Sequence, residues 1–253
     1  MWKGTIAFGL VNIPVRLFSA SQGSSLDFDM LDSKDGSRVR YKRVNETTGK
    51  EVEWKKIVKG YNLKNKYVIL TDKDFELASP KKSKTIDIEN FVSLNEVPFM
   101  YFETPYYIEP DKSASKAYNL LMKALVKSKK AGLARFVLRS TENLSLIVPY
   151  EGILVLQKLR FAEEVRSAEE IEVTNETINP KELTMAMNLI DQYSGAFDIS
   201  AYKNEYSAEL LKLIKKKATG KAIKQPVMKV SHRADSSLLD QLKASLNGHP
   251  KAS

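Results

Sequence analysis

The chain has 253 residues and a formal net charge of +9, from 40 Lys and Arg against 31 Asp and Glu. Hydrophobic residues make up 43% of it, which is enough for a buried core and excludes a disordered tail or a disulfide-stapled miniprotein. Cys is absent and the two His residues, His232 and His249, lie near the C-terminus, so disulfides, thiol nucleophiles and thiolate zinc sites are excluded.

The N-terminal segment MWKGTIAFGLVNIP lacks the long apolar run and the small-residue cleavage pattern of a signal peptide. No run in the sequence approaches the roughly 18 to 20 apolar residues that a membrane-spanning helix needs. We therefore expect a cytoplasmic protein. Its excess of positive charge favours nucleic acid as the partner, with an anionic membrane surface as the second choice.

Short apolar or alternating runs broken by Gly, Pro, Asp and Asn predict strands over most of residues 1–175. One amphipathic helix interrupts them, with Asp111 or Ser113 as its N-cap and Gly132 after its end. Because the βαβ alternation of a parallel sheet is missing, we expect a mainly β fold with a barrel or sandwich core. The predicted strands are 5–17, 38–44, 67–71, 133–138, 144–148 and 153–161. The predicted helix spans 114–129 and buries Ala117, Leu120, Leu121, Ala124 and Leu125.

Beyond residue 163 the sequence changes, first to an acidic stretch and then to helices. Pro180 in a first helical turn and Gly195 after a last one delimit the first of these helices, and Gly220 ends the second. The predicted segments are helices over 180–194 and 204–217, a linker over 221–235, and a short last helix that Asp235 or Ser236 caps.

The motifs of common enzymes are missing. No two glycines stand two residues apart, so the GxGxxG dinucleotide fingerprint cannot occur. The adjacent acids Glu163/Glu164 and Glu169/Glu170 could hold Mg²⁺ or do acid–base work. Adjacent side chains point in different directions on a helix or strand, however, which favours a solvated acidic face. We therefore expect no catalytic residue, no metal site and no cofactor, and a binding function.

The strongest binding feature is the segment 34–59, which holds nine basic and four acidic residues, a net charge of +5. Alternation along a strand places Arg38, Arg40 and Lys42 on one face, and residues 51–59 can form a returning strand. Such a basic ribbon can follow a phosphate backbone, although the solvated face of an ordinary hairpin remains an alternative. Its basic residues are Lys34, Arg38, Arg40, Lys42, Arg43, Lys50, Lys55, Lys56 and Lys59.

A second basic region covers residues 210–234, with a net charge of +8 and no carboxylate. Either it contacts DNA, or it is a lysine-rich helix end, which the helix dipole favours, followed by a soluble linker. The candidate contacts here are Lys215, Lys216, Lys217 and Lys221.

Two apolar features complete the pattern. We expect the aromatic run Tyr101, Phe102, Tyr106 and Tyr107 to pack in a core or interface rather than to stack on bases. The last helix carries a stripe of four leucines: Leu238, Leu239, Leu242 and Leu246. Docking of this stripe on its own domain and docking on a partner groove remain equally open on the pattern alone.

Five blocks of the sequence, in order and over nearly its whole length, closely resemble bacterial Ku. They are WKGTIAFGLVNIPVRLFSA at 2–20, DGSRVRYKRVNETTGKEVEWKKIVKGY at 35–61, ENFVSLNEVPFMYFETPYYIEPDK at 89–112, ARFVLRSTENLSLIVPY at 134–150 and ELTMAMNLIDQYSGAFDISAYKNEYSAELLKLIKKKATGK at 182–221. The resemblance implies a homodimer whose β-barrels and bridging arms form a ring around double-stranded DNA. It further implies binding to DNA ends without sequence preference, and recruitment of an ATP-dependent multifunctional DNA ligase in nonhomologous end joining.

The resemblance also assigns the segments of the chain. Residues 1–178 form the barrel core, including a DNA-encircling bridge over about 28–70 and the inserted helix over about 113–130. Residues 179–220 form a helical arm, 221–235 a basic linker and 236–253 a short helix for partner docking. The bridge supplies DNA contacts; Lys3, Arg16, Arg135 and Arg139 are offered as further contacts from the barrel, and the four leucines as the ligase contact.

The resemblance has a departure that bears on metal binding. Many members carry a CxxC pair in the bridge, where this chain has Asn45, Glu46, Thr47 and Thr48, so no zinc is implied here. The family is not known as an enzyme of its pathway. The resemblance also implies no membrane partner, and a bacterial, nucleoid-associated location in the cytoplasm. Two other interpretations are kept: a metal-dependent nucleic-acid-processing enzyme using the acidic stretch, and a general RNA- or chromatin-binding protein.

Overall fold

The computed structural model describes residues 2–78, 84–138, 141–220 and 238–248. The chain divides into two compact units, the first of Met1–Gly23 and Phe28–Ala168 and the second of Ser24–Asp27 and Glu169–Ser253. Within the described ranges, no helix combines the length and the apolar character needed to cross a membrane.

Among the described residues, the first unit carries strands and two α-helices, and the second carries helices. In chain order the elements are β1 (Trp2–Phe8), β2 (Val11–Ser19), β3 (Lys59–Leu63), β4 (Lys66–Leu70), α1 (Asp72–Ala78), β5 (Thr85–Ser93), β6 (Phe102–Pro110), α2 (Ser115–Ser128), β7 (Lys130–Leu138), β8 (Thr141–Tyr150), β9 (Ile153–Leu159), α3 (Pro180–Tyr193), α4 (Glu205–Ala218) and α5 (Leu238–Gly248).

Seven strands form a closed barrel in the order β1, β2, β6, β9, β8, β7 and β5, and β3 and β4 form a separate two-stranded sheet. All neighbouring strands in the barrel are antiparallel except β1 and β5, which run parallel with Thr5 opposite Thr85 and Ile6 opposite Ile86. The pattern predicts a barrel or a sandwich; the structure is a barrel. Because the sequence lacks βαβ alternation, it does not predict the parallel pair of β1 and β5 that closes the barrel.

The barrel core follows from the alternation of side chains along the strands. On β2, Ile13, Val15 and Leu17 are buried, while the residues between them are more exposed. The other strands complete the core with Ile6, Ile86, Ile88, Ile108, Ala134, Phe136, Ile147, Leu154 and Leu156. A smaller cluster is built on Ala131, Leu146 and Leu159. Tyr101, Phe102 and Tyr106 pack in these clusters as expected, whereas Tyr107 is 40% exposed.

Helix α2 packs on the barrel core through Tyr118, Leu121 and Leu125, which are all buried. The helix predicted over 114–129 is confirmed, but the prediction that Leu120 and Ala124 are buried is wrong, because both are exposed, Leu120 by 67%. Successive residues on a helix lie about 100° apart, so Leu120 turns away when Leu121 faces inward.

The Tyr118 hydroxyl joins α2 to two neighbouring strands. It donates to the Ile108 carbonyl and accepts from the Leu154 N–H, both at 2.7 Å. Ile108 and Leu154 are register partners on β6 and β9, so one side chain supplies hydrogen bonds to both strands. Burial raises the pKa of Tyr118, which keeps its hydroxyl protonated and able to donate.

Tyr118→Phe should leave the Ile108 carbonyl and the Leu154 N–H without this buried partner. We expect the free energy of unfolding, measured by urea denaturation, to fall by about 1–3 kcal/mol. Tyr107→Phe is the matched control, because Tyr107 precedes Ile108 on β6 and is partly exposed; its effect should stay within about 0.5 kcal/mol. Equal losses in the two variants would contradict the role given to the Tyr118 hydroxyl.

The predicted basic ribbon is wrong in its secondary structure. Over residues 38–44 and 51–58 the structure has two isolated bridge pairs, Leu31 with Arg38 and Val44 with Glu51, and the 3₁₀ turn Trp54–Lys56. The paired strands lie further along, in the hairpin of β3 and β4, and β4 confirms the strand predicted over 67–71. A segment with alternating side chains forms a strand only when a neighbouring strand pairs with it. Here the chain turns instead, so no such strand is available.

The helices of the second unit confirm the predictions of local sequence signals. The Asn179 side chain accepts from the Lys181 N–H and Pro180 occupies the first turn, so α3 begins where the sequence places it. Asn204 caps α4 in the same way by accepting from the Ser207 N–H. Helix α5 packs against α3.

Candidate nucleic-acid interface

The first part of the bridge segment (residues 28–70) is shaped by a tight turn. The Asp32 N–H donates to the Ser37 carbonyl and the Gly36 N–H to the Asp32 carbonyl, both at 2.8 Å. Gly36 has a φ of 72°, a left-handed conformation that glycine adopts without strain. Leu31 and Arg38 form a bridge pair just outside the turn, so the two arms leave it side by side.

The same turn is repeated further along the bridge segment. The Asn45 N–H donates to the Lys50 carbonyl and the Gly49 N–H to the Asn45 carbonyl, again at 2.8 Å. Gly49 has a φ of 64°, and Val44 pairs with Glu51 outside the turn. The two turns share few residue types, and the recurring Gly is the sequence signal by which the repeated turn could have been predicted.

Three of the basic residues in the segment are neutralised by carboxylates. Arg38 forms an ion pair with Asp29, Lys42 Nζ lies 2.7 Å from Glu51 Oε2, and Lys56 Nζ lies 3.3 Å from Glu53 Oε1. The hydrogen bond to Glu51 raises the pKa of Lys42. These pairs are exposed, so each contributes little to stability, but each cation already has a counter-charge.

Two further basic residues of the segment lie on aromatic rings. The Arg43 guanidinium lies 4.3 Å from the centroid of the Trp54 ring, and Lys59 Nζ lies 4.6 Å from the centroid of Phe75 on α1. A ring attracts a cation without cancelling its charge. Trp54 and Phe75 are functional candidates that the sequence alone does not reveal, because nothing in the local pattern links either ring to a particular cation.

The remaining cations have no ion pair within the described residues. They are Lys34, Arg40, Lys50 and Lys55, and the hairpin of β3 and β4 adds Lys64 and Lys66 at its tip. Lys64 and Asn65 have φ of 48° and 64°, the left-handed pair of a type I′ turn. Sequence reasoning missed these two lysines, because Lys64-Asn65 is not one of the Gly-containing pairs that signal a two-residue hairpin turn.

Two of the proposed cations on the barrel are held by acids. Arg16 Nε lies 3.2 Å from Glu109 and 3.6 Å from Asp111. Arg135 lies 3.1 Å from Glu89 through Nε and 3.5 Å from Glu142 through Nη1. Lys3 is exposed and stands opposite Arg16 in the β1–β2 register. Arg139 lies outside the described residues.

The second unit contains the other predicted contacts. Lys215, Lys216 and Lys217 are exposed in the last turn of α4, whereas Lys221 lies outside the described residues. On α5, Leu239, Leu242 and Leu246 are half-buried, and Leu238 is 58% exposed. Helix α5 packs against α3, and part of the leucine stripe is therefore covered.

The acidic stretch contributes a helix cap. The Glu164 carboxylate accepts from the Phe161 N–H at 2.7 Å, which closes the 3₁₀ turn Ala162–Glu164. Across residues 2–78, 84–138, 141–220 and 238–248, no three side chains of Asp, Glu, His or Cys gather as a metal site would require.

Comparison with known proteins decides the family. Residues 7–185 match the family model described as the Ku70/Ku80 beta-barrel domain, a range that covers α2 and all the barrel strands except most of β1. The chain belongs to the Ku family.

Curated relatives extend the match along the Ku chain. A protein of Archaeoglobus fulgidus named "Non-homologous end joining protein Ku" is 41% identical, and the alignment covers 97% of each chain. Proteins with the same name from Coxiella burnetii and Pseudomonas aeruginosa are 39% and 40% identical, over 88% and 86% of this chain and 84% and 76% of theirs. Similarity over such lengths includes both the barrel and the bridge segment.

The geometry predicts unequal contributions from the basic residues of this Ku chain to DNA binding. Replacing Arg40, Lys50 and Lys55 together with Ala removes three charges that have no carboxylate partner in the described part of the chain. We expect this variant to weaken binding to duplex DNA and to flatten the slope of log affinity against log salt by about 3 units.

The matched control replaces Arg38, Lys42 and Lys56, one Arg and two Lys that are each paired with an acid. Fluorescence anisotropy over a salt series should give a smaller loss of affinity and a smaller change in slope for this variant. Equal effects of the two triple variants would mean that the carboxylate pairs do not decide which cations contact phosphate.

Proposed function

We propose that the chain binds the ends of double-stranded DNA without sequence preference, as a homodimeric ring, in nonhomologous end joining. The observation that carries the proposal is the bridge segment of a Ku-family chain, which presents cations with no carboxylate partner among the residues that the structure describes. Lys34, Arg40, Lys50 and Lys55 are four of these, and all are exposed. The protein acts in this proposal by binding and holding DNA, with no chemical step of its own.

Phosphate contact explains the absence of sequence preference. Ammonium and guanidinium groups that meet the backbone carry no information about base order. Each contact is exposed and therefore weak, so affinity comes from many contacts at once and depends on the release of counterions. With about 6–10 phosphates neutralised, affinity should fall by roughly 10³ to 10⁵ between 50 and 200 mM salt.

The β3–β4 hairpin supports the homodimer. Tyr61 and Val68 are register partners and share one face, and Tyr67 and Ile69 lie on the other; all four are exposed in the single chain. A two-stranded sheet with apolar side chains on both faces is marginally stable alone. We propose that a second copy of the chain covers this hairpin, which closes the ring.

A closed ring makes binding topological. A ring of fixed circumference threads onto a free end but cannot encircle a covalently closed circle. We expect linear duplex to compete for binding and closed circular duplex of the same sequence to compete far less. Light scattering of the same preparation should give the mass of a dimer.

Nicked circles are the control for this experiment, because they relieve supercoiling without supplying a double-strand end. They should compete as poorly as closed circles. Equal competition by circles and linear duplex would overturn the end-binding proposal in favour of general nucleic-acid binding.

We further propose that α5 is the contact for an ATP-dependent multifunctional DNA ligase. Its leucine stripe supports this, since amphipathic helices commonly dock through such faces. Leu238 is 58% exposed, so it is available to a partner while the other three leucines are half-buried. Release of α5 from α3 would expose the rest of the stripe.

Leu238→Asp should reduce stimulation of end joining by the ligase while leaving DNA affinity unchanged, because it places a charge in an apolar contact outside the DNA-binding surface. Ligation of linear duplex measures the first and anisotropy the second. Lys243→Ala, an exposed position on the same helix, is the matched control and should keep full stimulation. Full stimulation by the Leu238→Asp variant would place the ligase contact elsewhere.

A further inference from the structure

Arg43 differs from the other arginines of the bridge segment in what surrounds its side chain. Arg38 is neutralised by Asp29, and Arg40 has neither an acid nor a ring beside it in the described residues. Arg43 instead lies over the Trp54 ring, 4.3 Å from its centroid. Both residues are in the exposed part of the chain, and the Trp54 side chain is 69% exposed.

The backbone holds the two residues in register. The Val52 N–H donates to the Arg43 carbonyl at 2.8 Å, next to the bridge pair of Val44 and Glu51. Trp54 begins a 3₁₀ turn, and its carbonyl accepts from the Ile57 N–H at 3.2 Å. Trp54 thus stands two residues beyond the partner of Arg43, a diagonal position from which a large ring reaches across paired segments.

A guanidinium that lies on a ring keeps both its charge and its hydrogen-bond donors. The five N–H groups point outward in the plane of the group, so a ring on one face leaves them free for a bidentate contact with a phosphate. Arg38, by contrast, must give up its carboxylate before it can bind a phosphate. The ring also restricts the rotamers of Arg43, which reduces the entropy lost on binding.

We infer that Trp54 is a positioning residue for DNA binding, whose ring holds the Arg43 guanidinium ready for a backbone phosphate. The inference rests on the proposed binding of duplex DNA by the bridge segment. In this arrangement the ring contacts the arginine and not a base, so it adds affinity without adding sequence preference. Trp54 is thus part of the interface although it carries no charge.

Substitutions in the full-length chain test this, with a blunt-ended linear duplex as the probe. Trp54→Leu keeps an apolar side chain but removes the ring, and we expect affinity to fall roughly three- to tenfold. Trp54→Phe keeps a ring and should recover most of the loss. Circular dichroism and urea denaturation of each variant report whether the fold is kept.

A double-mutant cycle separates positioning from direct contact. Arg43→Ala removes the held group, so adding Trp54→Leu to it should cause no further loss. Arg43→Ala should also flatten the salt slope by about one unit, whereas Trp54→Leu alone should lower affinity at every salt concentration and keep the slope. If Trp54 had only a structural role, Trp54→Leu would damage the bridge segment and change both the affinity and the salt slope. A lower affinity with an unchanged slope therefore indicates positioning.

Two outcomes would overturn the inference. The first leaves the proposed DNA binding by the bridge segment intact, and the second overturns it as well. If the losses from Trp54→Leu and Arg43→Ala add, the ring contacts DNA itself or acts independently, and the proposed function stands. If the triple variant of Arg40, Lys50 and Lys55 also binds DNA as tightly as the unaltered chain, the bridge segment is not the DNA-binding surface. That result would overturn the inference and the proposed use of the bridge together.

Discussion

The architecture depends on the parallel contact that closes the barrel. The Thr5 N–H donates to the Lys84 carbonyl at 2.8 Å, which brings β5 beside β1. Gly4 makes this approach possible, because a Cβ there would collide with the Lys84 carbonyl and the Trp2 ring. Since β1 and β2 already form a hairpin, the chain between β2 and β5 must leave the barrel and return to it. The bridge segment is the consequence of that closure.

Carboxylates then decide how the charge of the bridge segment is used. The net charge of +5 over residues 34–59 counts every cation equally, but Asp29, Glu51 and Glu53 each hold one of them. The rings of Trp54 and Phe75 hold two more without neutralising them. The segment therefore contains three kinds of cation: paired with a carboxylate, held on a ring, and unpaired. A phosphate would have to displace a carboxylate only from the first kind. On the barrel, acids hold Arg16 and Arg135 in the same way as they hold Arg38.

This distribution suits the proposed binding of DNA without sequence preference. A paired cation must give up its carboxylate to meet a phosphate and so gains less from DNA than an unpaired one, but the exchange costs little stability because exposed ion pairs are weak. In the proposed binding, unpaired cations and ring-held cations supply the initial attraction. The barrel contributes rigidity through its core and the Tyr118 hydroxyl, and the bridge segment is proposed to contribute the DNA contacts. Under this proposal, stability and binding are separated along the chain, so substitutions in one part need not damage the other.

Local signals in the sequence determined α2 to α5, most barrel strands and the basic segment, because caps such as Asn179 and alternation such as that of Ile13, Val15 and Leu17 act over a few residues. The short helix α1 was not predicted. Only the tertiary structure decided that residues 38–44 form no strand, since two turns take up the backbone that a partner strand would have paired. It also decided which acid or ring each cation meets. Arg16 and Glu109 are neighbours in register and distant in sequence, and no local pattern encodes such a meeting.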